Sequence, residues 1–215
     1  MKALLKKEFG LTGVMITYLF IFTAGMAMIP NYPILVVTMV VSIGLIATFQ
    51  SAREAHDTDY FAILPIRKRD VVKAKFLFVM SIEGLTFLLL MVVVVLRRIF
   101  FSSAQVYIQN PMINANAAYL GYALICFAVF NSFFLATFFK TGDSFVKPSI
   151  LYFIAEFVCI GTFETLHHIP ALTDLNATTV NYMQIIILAA GILLYGCMTT
   201  ISYRISANAF ENADL

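Results

Sequence analysis

The feature that most constrains this chain is a succession of apolar runs, each about as long as a membrane is thick. A helix needs about 20 predominantly apolar residues to cross a hydrocarbon core of about 30 Å. Six segments meet or approach this length: residues 11–30, 34–50, 76–96, 117–138, 149–166 and 182–203. We therefore predict an all-α membrane protein with six transmembrane helices in a single domain over residues 1–215.

The amino-acid composition supports a bilayer environment. Hydrophobic residues make up 61% of the chain and charged residues 12%, whereas soluble domains hold about 45–50% and about 25%. A soluble core of this size cannot bury so much apolar surface. The net charge of +2 does not indicate a nucleic-acid partner, and we expect none.

The distribution of positive charge predicts the orientation in the membrane. All of the chain's 14 lysine and arginine residues except Arg97 and Arg98 lie on the same side as the amino terminus. Short cytoplasmic loops carry such an excess of positive charge, so both termini are predicted to be cytoplasmic. Arg97 and Arg98 directly follow the third run, and we expect them to reach the outer headgroups.

The amino terminus resembles an interfacial segment rather than a signal peptide. Residues 1–10 mix leucine and alanine with lysine and glutamate, as a short amphipathic helix on the inner leaflet does. The apolar run over residues 11–30 is long for a signal peptide, and no small-residue cleavage site follows it. We predict an elbow helix over residues 1–10 that leads into a retained first span.

The loop between the second and third runs, residues 51–75, is more apolar than a simple connector. Asp57 or Asp59 is expected to cap a short helix over residues 60–64 that Pro65 ends, and Asp70 to cap the following helix. An apolar knob with a charged rim is typical of a helix that inserts into a partner's groove. A segment that rests on the lipid surface has the same pattern, so the residues alone leave both interpretations open.

The order of residues in this loop resembles the ABC-2 type permease family. The resemblance rests on Glu54, Asp57 and Asp59, followed by the run Ala-Ile-Leu-Pro-Ile-Arg-Lys-Arg-Asp-Val-Val-Lys-Ala-Lys over residues 62–75. Family members carry an acidic stretch, a Leu-Pro pair, a basic pair, an acid, two aliphatic residues and a lysine before the third span. Arg67 departs from this pattern, since a small hydroxyl residue is frequent there. The elbow, six spans and cytoplasmic termini also fit the family.

The resemblance implies a coupling helix that sits on an ATPase subunit. Its implied contact residues are Asp59, Tyr60, Phe61, Leu64, Pro65, Ile66, Arg67, Lys68 and Arg69. The chain has no Gly-x-x-x-x-Gly-Lys-Ser/Thr loop, which such motors use to hold phosphates, so ATP and Mg are expected on the partner and no enzymatic activity on this chain.

The resemblance also sets the expected assembly and cargo. It implies two ATPase subunits and a second permease, either identical or a sister chain, in the cytoplasmic membrane of a bacterium. Short outer loops suggest the compact members, some of which are similar to exporters of amphipathic or antimicrobial peptides. The expected function is therefore export of an amphipathic or hydrophobic cargo, such as a peptide toxin or a drug-like molecule.

Two carboxylates fall inside predicted spans, where an ionisable group is costly to bury. Glu83 lies in the third run and Glu156 in the fifth. Either they face a translocation path and bind polar parts of the cargo, or they accept hydrogen bonds from neighbouring helices. Both interpretations stay open, with a cargo path as the functional hypothesis.

The fifth run ends in Glu164, His167 and His168, which we interpret as an outer gate. Glutamate and histidine three positions apart are a pair that can bind a metal, but a site needs further ligands. The cysteines have no metal-type spacing, and we expect no metal.

Two other classes of function compete with the exporter. An ATPase-independent secondary carrier would use proton-coupling acids, and Glu83 and Glu156 fit that role. An intramembrane enzyme needs catalytic residues that converge from several spans. The sequence contains no His-Glu-x-x-His motif and no paired glutamates, which disfavours the enzyme.

Overall fold

The computed structural model of the chain describes residues 1–57, 66–101, 103–141 and 144–212. Over these ranges it is helical and contains no β-strand. The helices are α1 (Lys2–Lys7), α2 (Met15–Ile21), α3 (Val36–Glu54), α4 (Lys68–Phe101), α5 (Gln105–Ile108), α6 (Ala117–Lys140), α7 (Val146–Leu166) and α8 (Tyr182–Glu211). The predicted all-α fold is confirmed.

Five of these helices, α3, α4, α6, α7 and α8, are long and apolar enough to cross a membrane. A sixth crossing arises if the bent pair Lys2–Thr12 and Met15–Met28 counts as one span. These elements correspond in order to the six predicted runs. The five long helices extend beyond the apolar runs, because their polar ends continue the backbone hydrogen bonding past the hydrocarbon.

The bent pair contains the predicted elbow. Its two arms meet at 91°, and between them Gly13 adopts an extended conformation. The Tyr18 hydroxyl crosses the bend and donates a 2.6 Å hydrogen bond to the Phe9 carbonyl. A Cβ atom on Gly13 would displace that hydroxyl, so the glycine allows this hydrogen bond to form across the bend. The second arm ends in a 3-10 segment, Phe22–Met28, whose longer rise stretches 14 residues to about 25 Å.

Helix α6 forms the centre of the bundle. In its most apolar stretch 78% of the residues are buried, against 17% in α7 and in α8. Its closest neighbour is α8, and Gly121 and Gly191 make the approach possible. A Cβ atom on Gly121 would lie 2.5 Å from the Ile187 carbonyl oxygen. Small residues allow this backbone contact between membrane helices, while α7 and α8 leave wide apolar faces exposed.

Helix α4 is longer than the bilayer requires, and it begins two residues before Asp70, its predicted cap. Its 34 residues span about 51 Å at 1.5 Å per residue. The helix begins at Lys68, so Asp70 lies inside the first turn and not at the cap position. The basic residues from Lys68 to Lys75 are therefore part of one continuous helix that enters the membrane.

Candidate functional site

The predicted coupling loop falls only partly within the described residues. Five of its nine proposed contact residues lie outside them: Asp59, Tyr60, Phe61, Leu64 and Pro65. Of the rest, Ile66 is partly buried and packs against the hydrophobic core, whereas Arg67 is exposed. The contact surface for a partner thus remains a sequence prediction. The two ends of the loop, which we call its roots, lie within the described residues.

The second root of the loop is tied to the carboxyl-terminal helix. Lys68 begins α4. The guanidinium of the next residue, Arg69, lies 2.7 Å from the Glu211 carboxylate and 3.3 Å from the Asn208 side-chain oxygen of α8. This ion pair is solvent-exposed, so it is worth at most about 1 kcal/mol. Arg69 therefore has an intramolecular partner at the position where the sequence suggested the rim of a partner seat.

A cluster of four charged residues joins the elbow to both roots of the loop. We call Lys7, Glu8, Asp57 and Lys75 the root cluster. The Asp57 carboxylate accepts hydrogen bonds from Lys7 at 2.6 Å and from Lys75 at 3.0 Å. The Glu8 carboxylate lies 3.1 Å from the Lys7 ammonium and 3.6 Å from that of Lys75. Each acid thus contacts both bases, and three chain segments meet at one point.

The root cluster is largely buried and electrically balanced. Only 2% of the Glu8 side chain and 8% of the Lys75 side chain are exposed, and two positive charges face two negative ones. Burial by itself would raise the pKa of Asp57, but the attraction of Lys75 and Lys7 outweighs burial and lowers the pKa below its ordinary value. The ionised form of Asp57 is therefore favoured in this cluster. The short helix predicted over residues 60–64, for which Asp57 is a candidate cap, lies outside the described residues.

Contacts among these four residues are hard to predict from the sequence. Lys7 and Glu8 were assigned to an amphipathic helix on the lipid surface, and Lys75 to the positive-inside bias. Lys7 and Asp57 are 50 residues apart, and Glu8 and Lys75 are 67 apart. No local pattern therefore links the elbow to the loop. The one available signal was that each is an ionisable residue next to the start or end of an apolar run.

Glu83 lies deep inside the bundle, bound by two other helices. The side chain is 1% exposed. One of its oxygens, Oε2, accepts hydrogen bonds from the Tyr195 hydroxyl at 2.7 Å and from the Asn131 amide at 3.1 Å. The same amide nitrogen lies 3.1 Å from the Thr199 hydroxyl. Glu83 thus connects α4 to α6 and α8, as expected for a buried acceptor between helices.

Glu156 is the second buried carboxylate and joins a different pair of helices. It is fully buried at 0% exposure, and its Oε1 accepts a 2.9 Å hydrogen bond from the Thr38 hydroxyl. Glu156 therefore bridges α7 and α3, and its carboxylate also interacts with Cys126 of α6. Glu83 and Glu156 thus contact different sets of helices. Their role in a cargo path stays a prediction.

The proposed outer gate contacts the loop that precedes α6. Glu164 accepts a hydrogen bond from the Ile113 amide at 3.1 Å, and His167 Nε2 lies 3.0 Å from the Pro111 carbonyl oxygen. The His168 ring stacks at 4.2 Å on that of His167. Burial lowers the pKa of His167 below its ordinary value, although the contact with Pro111 opposes this shift. Within the described ranges, no three metal-binding side chains come together.

Arg97 occupies a different place from the one predicted. It is 5% exposed, and its guanidinium donates to the Ala27 carbonyl at 3.0 Å and to the Asn114 side chain at 3.1 Å. The guanidinium also stacks 4.0 Å from the centre of the Tyr107 ring. The expectation that Arg97 reaches the outer headgroups was wrong, because buried oxygen acceptors are within its reach. Arg98 is exposed, and its contact with the outer headgroups stays a prediction.

Asparagines that the sequence analysis did not single out close the outer side of the bundle. Asn116 caps α6 through a 3.1 Å hydrogen bond from the Tyr119 amide, and it also donates to the Leu175 carbonyl at 2.8 Å. Asn176 accepts from the Asn114 backbone at 2.6 Å. An asparagine directly before an apolar run is a recognisable cap signal, so Asn116 could have been identified from the sequence.

Comparison with known families covers nearly the whole chain. A family model described as "ABC-2 family transporter protein" matches residues 3–211. Comparisons with curated proteins and with solved structures gave no match. The matched range includes the elbow, the loop with its root cluster and all of the long apolar helices. The chain therefore belongs to the ABC-2 family of transporter proteins.

Proposed function

We propose that this chain is the permease subunit of an ATP-driven exporter, with ATP and Mg bound by separate ATPase subunits. The observation that carries the proposal is the root cluster, which ties both ends of the apolar loop to the elbow of a chain that belongs to a transporter family. A loop that only connects two spans does not need such an anchor. A loop that receives force from a partner needs an anchor, because the force must reach the membrane helices.

The proposed route of that force follows α4. This helix runs without interruption from Lys68 at the loop to Phe101 on the far side. Displacement of its first turn therefore shifts the whole element, since a helix is stiff over this length. At the far end Arg97 binds the Ala27 carbonyl and the Asn114 side chain. Movement at the ATPase side would in this way reach the outer loops.

The proposed cargo is amphipathic or hydrophobic, of the peptide or drug-like kind. The exposed apolar face of α7 gives a pair of permeases the surface on which to meet, and a cargo path would run between the two copies. Glu83 and Glu156 are buried within one copy. A direct role in binding cargo would thus require their helices to separate during the transport cycle.

The first test is recovery of the partner. The tagged chain is extracted from its native membrane in mild detergent, and co-purifying proteins are identified by mass spectrometry. We expect a near-stoichiometric protein with a phosphate-binding loop, and we expect Leu64→Asp to abolish its recovery. The matched control is Val106→Asp, which places the same charge at an apolar residue of α5 that is 53% exposed on the predicted outer side.

Two results would contradict the proposal. Retention of the ATPase by Leu64→Asp would show that the loop is not its seat. Recovery of the chain alone, as a stable oligomer, would favour the secondary carrier instead. The buried carboxylates Glu83 and Glu156 are the observation that keeps this second candidate, since proton-coupled carriers use such groups within the membrane.

A further inference from the structure

A groove between α4 and α8 has the features of a binding site for one lipid. It encloses about 230 Å³, and its walls include Phe76, Leu77 and Met80 of α4 and Gly196 and Tyr203 of α8. Met80 and Gly196 are exposed on the outer surface of the bundle. In a membrane protein that surface faces hydrocarbon, so the groove is open to an acyl chain from the side.

One end of the groove carries a positive charge. Lys73 lines it, is exposed, and makes no ion pair with the described residues. Lys73 precedes the apolar run over residues 76–96 by three positions, which places its ammonium at the predicted depth of the inner headgroups. Lysine at this depth attracts anionic lipid. The groove therefore combines an apolar channel with a cation at the level of a phosphate.

A second depression on α8 adjoins the groove. The two share Gly196 and Thr200, and the second is bordered by Ile192, Leu193 and Arg204. Arg204 is exposed and directly follows the apolar run over residues 182–203. Two apolar depressions side by side, each with a cation at its cytoplasmic end, match the form of a phospholipid with two acyl chains and one anionic headgroup.

Gly196 keeps both depressions open. A Cβ atom at this position would meet no other atom within 4 Å, so close packing does not explain the glycine. Glycine in a helix interior costs about 1 kcal/mol relative to alanine, and a leucine on a lipid-facing surface would be more ordinary. The space that the missing side chain leaves is the space that the acyl chains would occupy.

We propose that this surface binds an anionic phospholipid of the inner leaflet, with an acyl chain between α4 and α8 and its phosphate near Lys73 and Arg204. The charge selects the occupant, because a second copy or an uncharged cargo would leave both cations without an anion. The proposal is independent of the ATPase partner. It describes a built site for one lipid, in contrast to the exchangeable layer that surrounds any membrane protein.

The test is native mass spectrometry of the full chain, titrated with phosphatidylglycerol or with phosphatidylcholine of the same acyl chains. We expect one phosphatidylglycerol to be retained under conditions that remove phosphatidylcholine. Lys73→Gln should weaken phosphatidylglycerol binding about fivefold, which is the contribution of one basic residue near a headgroup. Gly196→Leu should also reduce retention of phosphatidylglycerol, because it fills the acyl space and leaves the charge unchanged.

Two matched controls separate a specific site from general effects. Lys147→Gln removes an exposed lysine near the same end of α7, and Gly161→Leu fills open space on that helix. Both should leave retention unchanged. The proposal is overturned if phosphatidylglycerol and phosphatidylcholine bind equally, or if Lys73→Gln and Gly196→Leu behave like their controls. A change in oligomeric state in Gly196→Leu without a change in lipid retention would show that a second copy covers the groove.

Discussion

The root cluster offers the sharpest quantitative prediction, through replacement of Asp57 by asparagine. The substitution keeps the shape of the side chain and removes one of two negative charges. Among the described residues, Lys7 and Lys75 then keep Glu8 as a common acidic partner, at 3.1 Å and 3.6 Å. The cluster changes from neutral to a net charge of +1 in a place where only 13% of the Asp57 side chain is exposed.

The expected loss in the free energy of unfolding lies between the values for surface and for buried ion pairs. Exposed pairs contribute at most about 1 kcal/mol, whereas removal of one partner from a buried pair costs about 3–5 kcal/mol. Asp57 and Lys75 are mostly buried and Lys7 is 23% exposed. We therefore expect Asp57→Asn to lower the free energy of unfolding by about 2–3 kcal/mol.

The assay is unfolding of the detergent-solubilised chain by a graded denaturant, combined with a double-mutant cycle. Lys75→Met alone should be destabilising. The pair Asp57→Asn with Lys75→Met should cost less than the sum of the single changes, since it removes one charge of each sign. Lys147→Met is the control, because that lysine is exposed and makes no ion pair among the described residues.

The dependence on pH follows from the lowered pKa of Asp57. A carboxylate whose pKa is lower in the folded state adds stability that is fully present above its unfolded pKa of about 4. That contribution is lost as pH falls through the folded pKa. The difference in the free energy of unfolding between wild type and Asp57→Asn should thus be constant from pH 5 to 8. It should shrink below about pH 4. Additive costs in the cycle, or a gap that widens in acid, would refute the proposed pairing.

Two further substitutions test the interior of the bundle. Glu83→Leu leaves the Tyr195 hydroxyl without its acceptor and should lower the free energy of unfolding by about 1–3 kcal/mol in the same assay. Glu83→Gln keeps an acceptor oxygen and is the control. Equal losses in the two variants would contradict the hydrogen-bonding role. Gly191→Ala places a methyl group against the facing backbone of α6 and should cost about 1–3 kcal/mol. Gly161→Ala, which meets open space, should unfold like wild type. A similar loss of stability in Gly191→Ala and Gly161→Ala would argue against the close helix contact.

The sequence predicted the helices well because a single physical requirement produces them. A span in hydrocarbon must satisfy its own backbone and present apolar side chains, so each run of about 20 apolar residues identifies a helix. The bend near Gly13 was also accessible, as the charged elbow precedes the first run. Contacts between distant polar residues were not accessible, because no local pattern records that Lys7 meets Asp57 or that Arg97 meets Ala27.

One signal for the candidate site was nevertheless present in the spacing of charges on α4. At about 100° per residue, Lys75, Glu83 and Arg97 fall within about 80° of one another around the helix axis, and all three are at most 6% exposed. They form one buried stripe that binds the root cluster at the loop, α6 and α8 in the middle, and the outer loops at the far end. A helix held at three depths by buried polar side chains cannot slide past its neighbours without breaking hydrogen bonds at all of them. Movement of α4 is therefore expected to occur as a switch between two complete sets of contacts, which is the behaviour that a transporter with two access states requires.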